Sequence, residues 1–318
     1  MTEKLYDIDP YLSETTAKVL SCTQIKEGWV LDLDRTIFFA RGGGQPCEAG
    51  TIADAKVLDV YEENGRILHI VDRPVTEGDA LCRIDFAMRF DHMQQHLGEH
   101  IFSAVLEKLY GCRINILRIE QDSSHIEIQA PLTPEQLLAA QAETRRVIAQ
   151  DLPVTCYFLT PEEAAAAGIG VRAAAHERVR VVRIGEDFDN NGCGGTHCRS
   201  TGEVEDFLLC GTKLVRGCFR IYFKCGARAR AEADARTLSL LRLQTVYGVE
   251  TLQQLEESAA ACLERKNVLE EQVLQLKQAL LTSDSAAYLA QSTPVGQHRF
   301  LALLLHGLLS GLRQFKEI

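Results

Sequence analysis

Residues 89–110 read RFDHMQQHLGEHIFSAVLEKLY, and the rest of the fold is organised around this segment. Its apolar residues recur at intervals of three and four, which is the spacing of one face of an α-helix. They are Met93, Leu97, Ile101, Ala104, Val105 and Leu109. The sequence therefore predicts a helix from Arg89 to about Tyr110 that packs an apolar stripe against a core.

The chain before this helix has the pattern of short strands. Apolar runs such as WVLDLD and ALCRID alternate with period two and are separated by Gly, Asp and Asn. Glu63-Asn64-Gly65 is a hairpin signal, because Asn and Gly tolerate a positive φ. We expect a small N-terminal β-barrel domain over residues 1–88, which also carries a glycine-rich motif.

The chain after the helix mixes strands with helices. The strand patterns RINILRIE and SSHIEIQA precede a helix that begins near Pro134 and ends near Gln150. The patterns VTCYFLT, VRVVRIG and FRIYFKCG then predict further strands. This order predicts an α+β domain over residues 89–230, with helices on a mainly antiparallel sheet.

A different pattern follows over residues 231–282. Nine positions alternate steps of three and four, which predicts the seam of a coiled coil with one polar member. They are Leu252, Leu255, Ala259, Cys262, Lys266, Leu269, Val273, Leu276 and Leu280. The seam pairs either with the preceding helix, as a helical hairpin, or with a second chain, as a homodimer.

Residues 283–318 are the last predicted segment. Thr282 to Gly296 has the composition of a linker, and Arg299 to Ile318 predicts one more apolar helix. Because this helix has no obvious partner in the chain, we expect a shortened C-terminal domain.

The composition is that of a globular protein with reduced cysteines. Of the 318 residues, 46% are apolar and 25% are charged. The 11 cysteines form an odd and irregular set, which argues against a disulfide framework. The amino terminus does not read as a signal peptide, and no apolar run is long enough to span a membrane. We expect a cytoplasmic protein without a membrane partner.

Charge is distributed unevenly along the chain. The formal net charge of −10 argues against tight non-specific binding of nucleic acid. Residues 172–183 and 213–230 are nevertheless locally basic. The strand from Lys213 to Lys224 is therefore a candidate surface for the phosphates of a nucleic acid.

Two pairs of residues have the spacing of metal ligands. His96 and His100 lie one turn apart on the same face of the predicted helix. Cys193 and His197 belong to the glycine-rich turn CGGTH, which can fold tightly around an ion. Three imidazoles and one thiolate favour Zn²⁺.

Spacing alone leaves the ligand set open. His92 with His96 is an equally spaced pair, and Cys198 is an alternative to Cys193. A hydrolytic zinc also needs a position that water can reach, so we expect one ligand, His197, to be long or exchangeable. Four short bonds would instead indicate a structural zinc.

Four motifs carry a resemblance to a known family. They are RTIFFARGGGQPCEAGTI at 35–52, HLGEH at 96–100, CGGTH at 193–197 and TGEV at 201–204. Together they resemble the editing domain of alanyl-tRNA synthetase and its free-standing relatives, called AlaX. The resemblance implies that His96, His100, Cys193 and His197 hold the zinc. It also implies that the chain deacylates Ser-tRNA(Ala), and sometimes Gly-tRNA(Ala), in trans.

The resemblance assigns substrate contacts as well. The threonine at position 36 helps to recognise the amino acid, and an alanine substrate would leave that hydroxyl unpaired at a cost of about 1–3 kcal/mol. Gly42, Gly43, Gly44 and Gln45 lie near the zinc and allow the backbone to approach the terminal adenosine.

Glu99 gives the helix a second interpretation. HLGEH also reads as H-x-x-E-H, a zinc protease signature in which His96 and His100 are ligands and Glu99 is the base. That interpretation leaves CGGTH unexplained. In an editing enzyme, Glu99 and His92 are both candidate general bases. A third interpretation is a non-catalytic tRNA- or protein-binding module with a structural zinc and a dimerising coil.

Overall fold

The computed structural model describes residues 1–169, 178–283, 290, 293–295 and 298–300. The chain forms two compact units, Met1–Ala235 and Arg236–Ile318. The architecture is mixed, with helices and antiparallel sheets, so the predicted α+β class is confirmed.

The first part of unit 1 is built almost entirely from strands. In chain order its elements are β1 (Glu3–Lys4), α1 (Leu5–Ile8), β2 (Glu14–Ile25), β3 (Gly28–Leu33), β4 (Arg35–Thr36), β5 (Gly50–Ile52), β6 (Ala55–Glu63), β7 (Arg66–Val71) and β8 (Gly78–Ile84). Six of these strands close into an antiparallel barrel in the order β2-β3-β7-β6-β5-β8. Asn64 and Gly65 have φ of 51° and 76° in the turn between β6 and β7, so the predicted hairpin is confirmed.

The second part of unit 1 contains the long helix and two sheets. Its elements are α2 (Phe86–Tyr110), β9 (Ile114–Ile119), β10 (Ser124–Ile128), α3 (Pro134–Ala149), β11 (Val154–Leu159), α4 (Pro161–Ala166), β12 (Val179–Ile184), β13 (Asp189–Gly192), a 3₁₀ turn (Thr201–Val204), β14 (Phe207–Val215) and β15 (Cys218–Cys225). The strands form one antiparallel sheet in the order β14-β15-β10-β9 and another in the order β11-β12-β13.

Helix α2 begins three residues before the predicted start. The Asp85 side chain accepts a hydrogen bond from the Met88 backbone N–H, which caps the helix, and Gly111 ends it in the left-handed conformation. The apolar stripe is buried from Met93 to Val105, but Leu109 is exposed. Polar residues on the remaining faces are buried too, and these form the site described below.

Helix α5 (Gly226–Tyr247) leads out of unit 1, and α6 (Leu252–Ser283) belongs to unit 2. Helix α6 covers the whole predicted seam. Among the described side chains of that seam, Leu255 is buried and the other eight are exposed. Pairing of the seam, with the preceding helix or with a second chain, stays a prediction.

The end of the chain differs in part from its prediction. Two short strands, β16 (Thr293–Val295) and β17 (His298–Phe300), pair antiparallel, β16 within the predicted linker and β17 at the start of the predicted helix. The predicted terminal helix is therefore wrong at Arg299 and Phe300, because ladder hydrogen bonds place them in a strand, and its remaining residues lie outside the described ones. None of the described helices is both long and apolar enough to cross a membrane.

Candidate metal centre

Two segments that are far apart in sequence meet in the interior of unit 1. Helix α2 supplies His96 and His100, and the loop that follows β13 supplies Cys193 and His197. The ligand atoms of these four residues all lie within 4.8 Å of one another. The three imidazoles are buried and the thiol is half-buried.

The distances fit a tetrahedral zinc site. The Cys193 Sγ lies 3.4 Å from His96 Nε2 and 3.7 Å from His197 Nε2. Zn–S bonds of about 2.3 Å and Zn–N bonds of about 2.0–2.1 Å at the tetrahedral angle require an S···N distance of about 3.5 Å. The side chains present therefore match Zn²⁺ both in ligand chemistry and in spacing.

The second nitrogen of each imidazole is held differently. His96 Nδ1 lies 2.8 Å from Gln45 Oε1, which leaves Nε2 to face the thiol. His100 Nδ1 lies 3.6 Å from the Asp189 carboxylate. His197 Nδ1 is buried without a hydrogen-bond partner among the described residues. Such outer partners fix the orientation of metal-binding histidines, so His197 is the least constrained of the three.

The electrostatics of the cluster favour a thiolate. Burial alone would raise the pKa of the Cys193 thiol, but the surrounding imidazoles hold that pKa well below its usual value. Burial would likewise lower the pKa of His100, but hydrogen bonds to Asp189 and Cys193 raise that pKa well above normal. Burial lowers the pKa of His197 to about 3, so this ring is neutral near pH 7. The raised pKa favours a proton on His100, which zinc binding would displace, because a thiolate and neutral imidazoles are the forms that bind zinc.

The loop at 42–45 contacts the cluster directly. Gln45 Nε2 donates to Thr196 Oγ1 at 2.8 Å, and Gln45 Oε1 accepts from the Thr196 backbone N–H at 3.2 Å. Gln45, which was predicted to meet the terminal adenosine, thus links His96 to the CGGTH loop. Gly44 has a φ of 93°, and a Cβ there would lie 2.2 Å from the Leu117 carbonyl oxygen. Only glycine fits this close approach to β9.

A buried ion pair anchors the same loop to α2. Arg89 Nε donates to Glu48 Oε1 at 2.5 Å, and both side chains are fully buried. Arg89 also donates to the carbonyls of Pro10 and Ile37. With its charge paired and its donors satisfied, Arg89 connects the barrel to the helix that carries His96.

Glycine is also required within the CGGTH loop. A Cβ on Gly195 would lie 2.1 Å from His96 Cε1 and 2.9 Å from Gln45 Oε1. The Gly195 backbone therefore packs directly against the imidazole of His96. By contrast, a Cβ on Gly194 would meet no atom of the described residues within 4 Å.

Thr36 lies outside the ligand cluster. Its hydroxyl accepts a hydrogen bond from the Phe38 backbone N–H at 3.0 Å and lies 2.8 Å from His69 Nε2. The side chain is fully buried. Burial lowers the pKa of His69 to about 4, so its ring is neutral. The Thr36 oxygen thus has two protein partners and one remaining position for a third bond.

The other candidates from the sequence also fall outside the cluster. Glu99 Oε1 accepts a hydrogen bond from Ser103 Oγ at 2.6 Å. His92 Nδ1 is buried with no partner among the described residues. Cys198 packs in the apolar core of the domain, so it is not a member of the ligand set.

Sequence reasoning missed three residues that support the site. Asp189 had no signal beyond its position near CGGTH, and neither Glu48 nor Arg89 could be paired from spacing. Arg180 was noticed only as one member of a locally basic stretch. It is buried, and its guanidinium contacts the CGGTH loop.

Comparison with known proteins places the chain in a family. Residues 179–222 match the threonyl and alanyl tRNA synthetase second additional domain, a range that contains Cys193 and His197. The alanyl-tRNA editing protein AlaX-L of Pyrococcus horikoshii is 37% identical over 240 residues, which cover 72% of this chain and 59% of that protein. The alanyl-tRNA editing protein Aarsd1 of Mus musculus is 30% identical over 285 residues, which cover 82% of this chain and 69% of that protein.

A longer relative matches nearly the whole chain. The alanine–tRNA ligase of Pyrococcus abyssi is 28% identical over 333 residues, which cover 99% of this chain but 36% of the ligase. The Aarsd1 protein is 30% identical to this chain, which covers more than two thirds of its length. The chain therefore belongs to the family of alanyl-tRNA editing proteins.

Proposed function

We propose that this chain is a zinc-dependent aminoacyl-tRNA deacylase of the cytoplasm that acts in trans on tRNA(Ala) mischarged with serine or glycine. The observation that carries the proposal is the buried cluster of three imidazoles and one thiolate at zinc distances. Relatives that are 30–37% identical to the chain are named alanyl-tRNA editing proteins. Editing is needed because a site built for alanine cannot strongly reject serine.

The reaction is hydrolysis of the ester that joins the amino acid to the terminal ribose. Zn²⁺ held by His96, His100, Cys193 and His197 would supply a Lewis acid that polarises water or the ester carbonyl. Water loses a proton as it adds to the carbonyl carbon, the bond to the ribose oxygen breaks as that oxygen takes up a proton, and the amino acid leaves as a carboxylate. Glu99 is the proposed acceptor of the water proton, because it adjoins His100 on α2 and is nearly buried.

Thr36 and the loop at 42–45 are proposed to contact the substrate. The free position on the Thr36 oxygen would bind the serine hydroxyl, which alanine lacks. Gly42 and Gly43 would allow the backbone to approach the terminal adenosine, since a Cβ on Gly43 would meet no described atom within 4 Å. Gly44 and Gln45 hold that loop in place.

One alternative is favoured by a specific observation. Four protein ligands, with no fifth from the part of the chain that the structure describes, are also the pattern of a structural zinc. The chain would then be a tRNA-binding module without hydrolytic activity. The protease interpretation has less support, because the ligand set contains Cys193 and His197 and no glutamate.

The test is release of serine from Ser-tRNA(Ala), with zinc content measured on the same samples. The wild type should release serine and hold zinc. Cys193→Ala should lose both, because a methyl group cannot replace the thiolate. Cys262→Ala is the matched control, since Cys262 is an exposed thiol of α6, and it should behave as the wild type.

The outcome separates the candidates. If the wild-type protein contains zinc and binds tRNA(Ala) but releases no serine, the zinc is structural and the chain is a tRNA-binding module. Serine release by zinc-free Cys193→Ala would refute the role of the metal.

A further inference from the structure

We propose that Arg180 is a positioning residue that holds the CGGTH loop in the conformation able to bind Zn²⁺, an inference that rests on the proposed zinc-dependent function. Arg180 lies on β12 and touches none of the substrate groups discussed above. Its side chain is 6% exposed, so it is not available as a surface contact for tRNA phosphates.

The guanidinium of Arg180 donates hydrogen bonds to two backbone carbonyls of the loop. Nη1 donates to the Cys193 carbonyl at 2.9 Å and to the Gly195 carbonyl at 2.7 Å. The main chain adds a third link, because the Cys193 N–H donates to the Arg180 carbonyl at 3.0 Å. Residue 180 therefore binds the backbone on both sides of Gly194.

The other nitrogens of Arg180 tie it to the rest of the unit. Nη2 lies 3.1 Å from the Cys156 sulfur on β11, and Nε lies 3.6 Å from an Asp7 carboxylate oxygen on α1. Asp7 supplies a counter-charge for the buried guanidinium. Through Arg180 the loop is thus connected both to strand β11 and to helix α1.

These contacts set the position of a metal ligand relative to α2. The Gly195 backbone packs on the His96 ring with no room for a Cβ, and Cys193 Sγ lies 3.4 Å from His96 Nε2. If the two carbonyls lose their shared donor, the buried Gly195 carbonyl is left without that partner, which favours a shift of the loop. The thiolate would then move away from the imidazoles.

This set of contacts requires an arginine at position 180. One planar guanidinium donates to two carbonyls and a sulfur in fixed directions while its Nε lies 3.6 Å from the Asp7 carboxylate without a hydrogen bond, whereas a lysine offers one compact ammonium group. Arg183 on the same strand is exposed and stacks over the Tyr157 ring at 5.9 Å, so it provides a matched arginine without contact to the loop.

The experiment measures zinc affinity of the full-length chain by competition with a chromogenic chelator. Arg180→Met should weaken Zn²⁺ binding by about 10- to 100-fold, the usual cost of removing an outer partner of a metal site. Arg180→Lys should give an intermediate loss, and Arg183→Met should stay within about twofold of the wild type. In the cobalt-substituted protein, Arg180→Met should also weaken the thiolate-to-metal charge-transfer band.

Two results would overturn the inference. One is a folded Arg180→Met protein with wild-type zinc affinity and an unchanged cobalt spectrum. The other, decisive if Arg180→Met does not fold, is Arg180→Lys with wild-type affinity. Both readouts are independent of tRNA hydrolysis. A chain whose zinc binding depends on Arg180 but which does not edit would therefore refute the proposed function alone.

Discussion

The three imidazoles around the Cys193 thiol differ in how firmly they are held. His96 is bonded to Gln45 and His100 faces Asp189, whereas the outer nitrogen of His197 has no partner among the described residues. A ring without an outer hydrogen bond turns more freely. This asymmetry supports the expectation that His197 is the exchangeable ligand, which stays a prediction.

Thr36 is proposed to select for serine, and removal of its hydroxyl tests that role. Thr36→Val keeps the shape of the side chain but deletes the oxygen that would receive the serine hydroxyl. Discrimination between Ser-tRNA(Ala) and Ala-tRNA(Ala) should fall by about 5- to 150-fold, which corresponds to about 1–3 kcal/mol. The measurement is the ratio of kcat/KM for the two esters.

The same change also removes the partner of His69 Nε2 and of the Phe38 N–H. Stability therefore has to be followed by Tm, with the exposed Thr23→Val as control. An unchanged ratio of kcat/KM, together with a lowered Tm, would assign Thr36 to the packing of the barrel and not to selectivity.

Among the elements of the fold, the helical spacing of α2 could be predicted from the sequence, but the segments that pack around the helix could not. The spacing of Met93, Leu97 and Ile101 indicates a helix with a buried stripe, and these residues are fully buried. The burial of Gln95 and His96 on other faces comes from loops and strands 51 to 130 residues away in sequence. No local pattern records such contacts.

The glycine-rich loop shows the same limit. Its glycines were recognisable as positions of close backbone approach, and Gly44 does meet the Leu117 carbonyl. The partner of Gln45 was not recognisable, because it depends on how the barrel sits against α2 through Arg89 and Glu48. The metal pairs were predictable because each pair is local, although their meeting required a fold.

The position of Glu99 on α2 allows its proposed role as base to be tested. Glu99→Gln keeps the size of the side chain and the bond from Ser103, but the amide cannot accept a proton. We expect kcat for serine release to fall at least about 100-fold with little change in KM. Steady-state kinetics on Ser-tRNA(Ala) measure both parameters.

Glu107→Gln is the matched control on the same helix, because Glu107 is exposed and pairs only with Arg113 among the described contacts. It should leave kcat unchanged. If Glu99→Gln also leaves kcat unchanged, Glu99 is not the base, and the ribose hydroxyl of the substrate is the better candidate for proton transfer.

For the whole molecule, charge determines where a tRNA can dock. The net charge of −10 makes the chain as a whole repulsive to phosphates, so the proposed binding of tRNA has to rely on local cations. Arg220 and Lys224 on β15 are paired with Glu127 and Glu232, which removes much of their attraction for RNA. The exposed cations that remain on this hairpin are Lys213 and Arg216.

Charge reversal at the hairpin tip tests this docking surface. Arg216 lies in the turn between β14 and β15 with a φ of 50°, a conformation that arginine and glutamate tolerate about equally. Arg216→Glu should weaken tRNA(Ala) binding and reduce the salt dependence of Kd by about one phosphate contact. Lys26→Glu makes the same change of charge on an exposed turn of the barrel. Because the net charge of both variants is equal, an equal loss of affinity would show that overall repulsion, and not the hairpin, governs binding.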